Sequence, residues 1–177
     1  MAERLAVSLA SILEHLPNTQ PEQITIAPEW LCLCHKELAG GLFPDWAGRF
    51  RDMNVQVGAH TPPPFYEVPV QIRLYCDDLA ERLRHIRPRH ADFHTQAELL
   101  AWADGRFQAI HPFKDFNGRI GRILLSAILY KLALPHVVTA PSDAEERRRY
   151  LDALQAADAG DIEPLQLVWF QRLLDAL

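Results

Sequence analysis

The chain has 177 residues, of which 49% are hydrophobic and 23% are charged, and this composition excludes a disordered or fibrous protein. Its formal net charge is −5, from 18 lysines and arginines against 23 aspartates and glutamates, which argues against a nucleic-acid partner. No apolar run is long enough for a membrane span, and the first residues lack the basic-then-apolar order of a signal peptide. We therefore expect one domain over residues 1–177 that acts in the cytoplasm, or is delivered into a target cell, without a membrane partner.

Most of the chain is predicted to be helical. Apolar residues recur at helical spacing, and prolines, glycines and capping sequences divide this pattern into seven helices. In chain order these are residues 5–16, 28–39, 72–86 and 95–110, a stretch after 118, a stretch that opens with a capping box at 142–145, and a stretch from about 164 to the end. The helix after 118 is apolar on nearly all sides, so we expect it to lie buried at the centre of the fold.

One stretch between the second and third predicted helices breaks the helical pattern. Apolar and polar residues alternate roughly one by one over 50–57, and Gly58 and three consecutive prolines follow. This pattern predicts a short hairpin or extended flap at about 50–66, whose unpaired backbone could pair with a strand of another protein. A surface loop that only connects two helices fits the pattern equally well.

The densest polar cluster lies at 111–122, immediately before and within the start of the most apolar helix. Arg119 and Arg122 are three residues apart and so share one face of that helix. Cations at the positive end of a helix dipole cost roughly 0.3–1 kcal/mol each, and burial adds to the cost. The arrangement becomes favourable if an anion is the missing partner, because a helix N-terminus, a glycine and two guanidinium groups form a polyphosphate site.

The other residues of this cluster predict a phosphoryl-type transfer. His111 is the one base near neutral pH and could take a proton from an incoming hydroxyl group, while Asp115 could hold a Mg²⁺ ion that bridges phosphate oxygens. The phosphates would be held by Asn117, Gly118, Arg119 and Arg122. Each residue alone is also explained by a turn, a cap, a buried ion pair or a core histidine, but six such residues within twelve positions favour a functional site.

Two stretches of the sequence resemble the motifs of a known family. The sequence from His111 to Arg122, HPFKDFNGRIGR, resembles the signature of the Fic (Fic/Doc) family, H-x-F-x-[D/E]-[G/A]-N-G-R-x-x-R, and departs from it at Phe116, where a small residue is usual. A second stretch at 42–51 resembles the W-A-G-[R]-[YF]-R sequence that leads into the flap of that family. The resemblance extends in element order over about 28–174.

The resemblance implies a fold and a reaction. The fold would be all-α, a single Fic domain over 1–177 with a Fic-type helical core, a short β-hairpin flap at about 50–66 and a catalytic loop at 111–122. The reaction would be Mg²⁺-dependent transfer of AMP from ATP to a serine, threonine or tyrosine hydroxyl of a target protein, with His111 as the base and Asp115 as the metal ligand. The nucleotide-binding residues would be Asn117, Gly118, Arg119 and Arg122. The flap would bind the target protein by strand addition through Val55, Gln56, Val57 and Gly58.

Several alternatives stay open at this point. The transferred group could instead be UMP, GMP, phosphate or phosphocholine, although Gly118 favours nucleotidyl transfer because family members that phosphorylate carry lysine there. Phe116 could point into the core, or it could crowd the nucleotide and leave a non-catalytic module that binds a nucleotide or a partner. Neither Glu29 nor Glu146 completes the [S/T]-x-x-x-E-[G/N] pattern of the family's inhibitory helix. We therefore expect restraint from a separate antitoxin-like protein, from oligomerisation, or not at all.

Overall fold

A computed structural model of the protein describes residues 2–15, 18–86, 93–139, 141 and 143–177. Its α-helices are α1 (Ala2–His15), α2 (Pro28–Ala39), α3 (Val68–His85), α4 (Phe93–Ile110), α5 (Asn117–Lys131), α6 (Ala144–Asp158) and α7 (Glu163–Asp175). Two short 3₁₀ helices, Pro21–Gln23 and Phe65–Glu67, lie in the connections. The described residues form no β-strand, so the predicted all-α fold is confirmed. None of the described helices combines the length and apolar character that a membrane crossing requires.

Helix α5 is the central helix of the fold. It packs against α1, α2 and α4, and its residues Ile120, Ile123, Leu124 and Ile128 are completely buried. The sequence explains this position, because apolar residues surround the helix beyond its first turn. The consequence is that the N-terminal turn of α5, with its arginines, is held rigidly by the core.

The other helix boundaries follow local sequence signals. Helices α2, α3 and α7 have a proline in the first turn, where the missing N–H group costs no hydrogen bond. Helix α3 has Pro69 as its second residue and begins at Val68, four residues before the predicted position at 72. The N-cap of α6 is Asp143, whose side chain accepts a hydrogen bond from the N–H of Glu146 at 2.8 Å. The predicted cap residue Ser142 lies outside the described residues.

The predicted β-hairpin flap at 50–66 is not formed, and this prediction was wrong. The segment contains one isolated antiparallel bridge, between Val57 and His60, around a turn in which Gly58 takes a left-handed conformation. The returning arm consists largely of prolines, which cannot donate to a strand ladder. The flap is therefore an extended loop, held by the Gln56 amide, which donates to the carbonyls of Gly58 and His60 at 3.1 and 2.8 Å.

Arg51 fixes the base of this flap. Its side chain is 3% exposed, and its Nε–H donates to the carbonyl of His111 at 2.9 Å. Its two terminal nitrogens donate to the carbonyls of Met53 and Pro63, at 3.0 and 2.5 Å. These two carbonyls lie on the two arms of the flap. A buried guanidinium is tolerated only when its donors are satisfied, so this residue joins the flap to the segment that follows α4.

A buried polar cluster joins α4, α6 and α7; we call it the Asp104 cluster. Asp104 of α4 is 1% exposed and accepts hydrogen bonds from the Tyr150 hydroxyl of α6 at 3.0 Å and from Trp169 Nε1 of α7 at 3.1 Å. Arg172 lies over the rings of Tyr150 and Trp169, and its Nη2 is 3.3 Å from a carboxylate oxygen of Glu146. The two C-terminal helices are thereby held against α4.

We expect the Asp104 cluster to make stability depend on pH. Burial raises the pKa of Asp104 from 3.8 to about 6, although hydrogen bonds from Tyr150 and Trp169 oppose this change. A carboxyl group whose pKa is raised in the folded protein binds a proton on folding. Its contribution to the free energy of unfolding is therefore present below pH 3.8 and is lost as the pH rises through about 6.

The variant Asp104→Asn tests this dependence, because a carboxamide occupies the same space and does not titrate. Its free energy of unfolding at pH 7, relative to pH 4, should exceed that of the wild type by about 3 kcal/mol, since one pKa unit corresponds to ~1.4 kcal/mol. Urea unfolding between pH 4 and pH 7 measures this difference. The variant Asp152→Asn, at an exposed position of α6, serves as the control. Parallel curves for Asp104→Asn and wild type would contradict the assignment.

Candidate active site

A cleft of about 1230 Å³ lies at the N-terminus of α5. The loop that joins α4 to α5 forms its floor, and the flap, α6 and α7 form its walls. Its lining includes all the residues predicted for the catalytic loop, His111, Asp115, Asn117, Gly118, Arg119 and Arg122. Of the predicted flap residues, Val57 and Gly58 line the cleft, whereas Val55 and Gln56 lie outside its lining.

Asn117 shapes the floor of the cleft. Its Oδ1 accepts a hydrogen bond from the N–H of Phe113 at 2.9 Å, and its Nδ2 donates to the carbonyl of the same residue at 2.8 Å. Its carboxamide is therefore engaged within the loop, a role that the sequence did not reveal. Within the described residues, the backbone N–H groups of Asn117 and Gly118 donate no hydrogen bond, and these groups are the ones left for an anion.

The ring of Phe116 points into the core and does not close the cleft. The residue has φ 64° and ψ 14°, a left-handed conformation at the N-cap of α5. Its ring is 7% exposed and packs on the rings of Phe43 and Trp46, with centroids 5.7 and 5.8 Å away. The guanidinium of Arg119 lies 5.3 Å above the same ring. Of the two orientations that the sequence left open for Phe116, the structure shows the one that keeps the cleft open.

His35 of α2 supports the loop between α4 and α5 through a contact with Asp115. The sequence did not predict this role. Its Nδ1 accepts a hydrogen bond from the N–H of Gly48 at 2.8 Å, and its Nε2 lies 3.3 Å from the carbonyl of Asp115, to which it must donate. The buried ring stacks on Phe113 with centroids 4.1 Å apart. Burial lowers the pKa of His35, which agrees with a neutral ring protonated at Nε2. The available signal was its position on the buried face of α2, four residues after Leu31.

His111 is a neutral base at the edge of the cleft. The residue is half-buried with φ 48°, and its buried Nδ1 has no partner at hydrogen-bonding geometry among the described residues. Burial lowers the pKa of His111; the Gln108 carbonyl opposes this effect, and the neighbouring Arg51 and His60 reinforce it. The imidazole is therefore unprotonated at pH 7, as proton acceptance requires.

The two arginines of α5 carry positive charge that no carboxylate of the described residues neutralises. Within the described residues neither Arg119 nor Arg122 forms an ion pair with a carboxylate. Burial lowers the pKa of Arg122, and the guanidinium of Arg119 acts in the same direction. An anion in the cleft would remove both penalties, so the site is suited to a phosphate chain.

Comparisons with known proteins agree with this geometry. A model of the Fic/DOC family matches residues 25–129, which is more than half of the chain. The chain belongs to the Fic/DOC family. It is 33% identical to the protein adenylyltransferase Fic of Nematostella vectensis over 161 residues, which are 89% of this chain and 35% of that protein. It is 31% identical to the protein adenylyltransferase Fic of Aedes aegypti over 130 residues, which are 73% of this chain and 24% of that protein.

A solved structure with the same fold is Fic-1 (aa134–508) from C. elegans. It matches with a TM-score of 0.76 and 27% sequence identity, over 94% of this chain and 47% of that chain. The present chain thus spans about a third or less of the two curated relatives and about half of the solved one. The Fic fold that the sequence predicted is confirmed by this match.

The flap of this Fic domain is fixed to the opposite side of the cleft by His60. The Nε2 of His60 donates to the carbonyl of Ala109 at 2.9 Å, because a carbonyl can only accept. The Nδ1 of the same ring lies 3.3 Å from a carboxylate oxygen of Asp158, at the end of α6. The flap therefore bridges the cleft between α4 and α6.

Asp115 places one carboxylate on the floor of the cleft. Its Oδ1 accepts a hydrogen bond from the N–H of Phe116 at 2.6 Å, and the side chain is exposed on the floor of the cleft. No group of three or more histidine, cysteine or acidic side chains in the described ranges could form a metal site by itself. Mg²⁺ at nucleotides is commonly bound by one or two carboxylates, water and phosphate oxygens, and one exposed carboxylate in the cleft that Arg119 and Arg122 also line fits that pattern.

Removing the ring of Phe116 should destabilise the fold. We expect Phe116→Ala to lower the free energy of unfolding by ~3–5 kcal/mol, the usual loss for a buried phenylalanine. The left-handed backbone strain is retained in the variant, so its relief does not offset this loss. Phe65→Ala, at a ring that is 38% exposed, should change it much less. Urea unfolding of the two variants measures the difference, and equal losses would show that the ring of Phe116 is not part of the core.

Proposed function

We propose that this Fic domain transfers AMP from ATP to a serine, threonine or tyrosine hydroxyl of a target protein, with His111 as the general base. The observation that carries the proposal is a neutral imidazole in the same cleft as two arginines at the N-terminus of a buried helix, which have no carboxylate partner in the described residues. That the curated relatives are named protein adenylyltransferases supports AMP as the transferred group.

The phosphates of ATP would lie at the N-terminus of α5. The free N–H groups of Asn117 and Gly118 and the guanidiniums of Arg119 and Arg122 would stabilise their negative charge. Asp115 would hold Mg²⁺, which supplies further neutralisation of the phosphate oxygens when bound. The space at Gly118 is open to a phosphate, because no atom outside its chain neighbours and the local helix backbone lies within 4 Å of the position that a Cβ would take.

The reaction proposed for this arrangement is an in-line displacement. The target hydroxyl oxygen attacks the α-phosphorus and forms the new P–O bond, while the bond to the oxygen that bridges the α- and β-phosphates breaks. Pyrophosphate leaves with the electron pair of that bond, and His111 takes the hydroxyl proton. Positioning and charge stabilisation supply most of the acceleration.

The flap would bind the target protein as an extended segment. Val57 and His60 use their backbone groups on each other, at 3.0 and 2.9 Å. Within the described residues, the backbone over 54–56 makes no backbone–backbone hydrogen bond, so the edge of the flap that carries Val55 and Gln56 is open to a foreign strand.

ATP labelled in the α- or the γ-phosphate would separate AMP transfer from transfer of another group, because only AMP transfer places the α-label and not the γ-label on protein.

We propose that restraint comes from a separate antitoxin-like protein or from oligomerisation, or that the activity is not restrained. Glu29 is exposed and lies 3.7 Å from Arg73 on the surface, and Glu146 lies 3.3 Å from Arg172. Both glutamates therefore contact cations other than the catalytic-loop arginines. Glu29 also lies outside the lining of the cleft, which supports a source of restraint other than this glutamate.

Replacing the base should separate binding from chemistry. His111→Ala is expected to lower the rate of AMP transfer by at least about 100-fold, since a general base acts only in the chemical step, and to change the Kd for Mg-ATP by less than about twofold. Mass spectrometry of modified protein and calorimetric titration measure the two quantities. His136→Ala, at an exposed position outside the cleft, is the control. Parallel loss of binding and transfer would contradict the role of His111.

The rate of transfer should fall at acidic pH with a midpoint below 6.5, the ordinary pKa of histidine. The neutral form of His111 is the active one, and burial lowers its pKa below 6.5. The rate should therefore be constant near neutral pH and fall as the pH drops through this lowered pKa. A profile of kcat/KM against pH measures the midpoint, and an acidic midpoint at or above 6.5 would exclude this assignment.

A further inference from the structure

Two arginines from outside the catalytic loop, Arg147 of α6 and Arg172 of α7, line the cleft together with Arg122 of α5. Arg172 and Arg147 both contribute to lowering the pKa of Arg122, after burial and Arg119. Three helices thus place cations around one space, next to the site proposed for the phosphates.

Arg172 has an unused hydrogen-bond donor at this point. The residue is 7% exposed, its Nη2 lies 3.3 Å from Glu146, and its guanidinium carbon lies 5.2 and 5.1 Å above the rings of Tyr150 and Trp169. Its Nε is buried and has no hydrogen-bond partner among the described residues. A buried donor without a partner is unfavourable, and an acceptor atom of a ligand would satisfy it.

Arg147 is also available to a ligand. In the described ranges it forms no ion pair, whereas Arg149, on the same helix, lies 3.6 Å from Glu145. Its exposed side chain reaches the cleft from the first turn of α6.

The acidic groups at this end of the cleft are already engaged. The Asp104 carboxylate accepts hydrogen bonds from Tyr150 and Trp169. The carboxylate of Asp143 caps α6, and that of Glu146 contacts Arg172. The acidic side chains here thus have partners within the protein, whereas the Nε of Arg172 and the guanidinium of Arg147 have none among the described residues.

We propose that Arg147 and Arg172, together with Arg122, bind the terminal phosphates of the nucleotide and make the protein prefer a nucleoside triphosphate to a monophosphate. This inference rests on the proposed function and adds two residues from outside the catalytic loop to it. When the bond between the α-phosphorus and the bridging oxygen breaks, the electron pair moves onto the leaving pyrophosphate. Guanidinium groups at this position stabilise that charge as it develops.

Two neighbouring arginines of α6 provide a matched test. Arg147 lines the cleft, and Arg148 is exposed and lies outside its lining. Arg147→Gln should weaken ATP binding about tenfold, as expected for one charge-assisted hydrogen bond, and change AMP binding by less than about twofold. Arg148→Gln removes the same charge and should change neither. Equal effects of the two variants on ATP, or equal weakening of ATP and AMP by Arg147→Gln, would overturn the proposal.

Arg172→Lys tests the second residue, because it retains a positive charge near Glu146 and removes the Nε donor. We expect the ratio of ATP affinity to AMP affinity to fall severalfold while the melting temperature stays near that of the wild type. An unchanged ratio would assign Arg172 a structural role only.

Titration with tripolyphosphate distinguishes failure of this inference from failure of the proposed function. Wild-type protein should bind tripolyphosphate without any nucleoside, and Arg147→Gln should weaken that binding about tenfold, whereas Arg148→Gln should not. If wild type binds tripolyphosphate in this way but transfers no AMP, the function is wrong and the subsite stands. If wild type transfers AMP and the ATP and tripolyphosphate affinities are the same in Arg147→Gln, the subsite is wrong and the function stands.

Discussion

The first turns of the buried helix α5 carry positive charge that no carboxylate of the described residues compensates. Arg119 and Arg122 add two guanidiniums to the positive end of the α5 dipole, and the described residues supply no carboxylate to pair with them. Such an arrangement is unfavourable in an empty protein and is maintained because the apolar body of α5 fixes the helix in the core. The cleft therefore has a strong electrostatic preference for an anion before any other contact is considered.

The loop in front of α5 is held by polar groups that are themselves satisfied. Asn117 closes it through the oxygen and nitrogen of its carboxamide, His35 joins it through Nε2 while its Nδ1 accepts from Gly48, and Arg51 joins it to the flap. This support keeps His111 and Phe116 in left-handed conformations, which cost non-glycine residues ~1–3 kcal/mol each. The strain is tolerated because the packing of the Phe116 ring and the hydrogen bond to the His111 carbonyl favour the same backbone path.

Sequence patterns predicted the features of this protein that depend on neighbours along the chain. Helix positions followed from apolar spacing and prolines, and the catalytic loop followed from a dense polar segment before an apolar helix. The alternation at 50–57 suggested a strand, but a strand needs a partner, and the prolines on the returning arm prevent one from forming. The roles of His35 and Arg51 were hidden because their partners lie 80 and 60 residues away, and the direction of Phe116 depends on the distant Phe43 and Trp46.

The two ends of the cleft are built from different parts of the chain, and this division has a functional consequence. The catalytic loop lies inside the matched region of the family, residues 25–129, whereas Arg147 and Arg172 lie on helices that follow it. The position of these two residues relative to Arg122 depends on the Asp104 cluster, since Asp104 holds Tyr150 of α6 and Trp169 of α7. Changes in α6 or α7 can therefore alter selection of the phosphate chain while the groups proposed for chemistry stay in place.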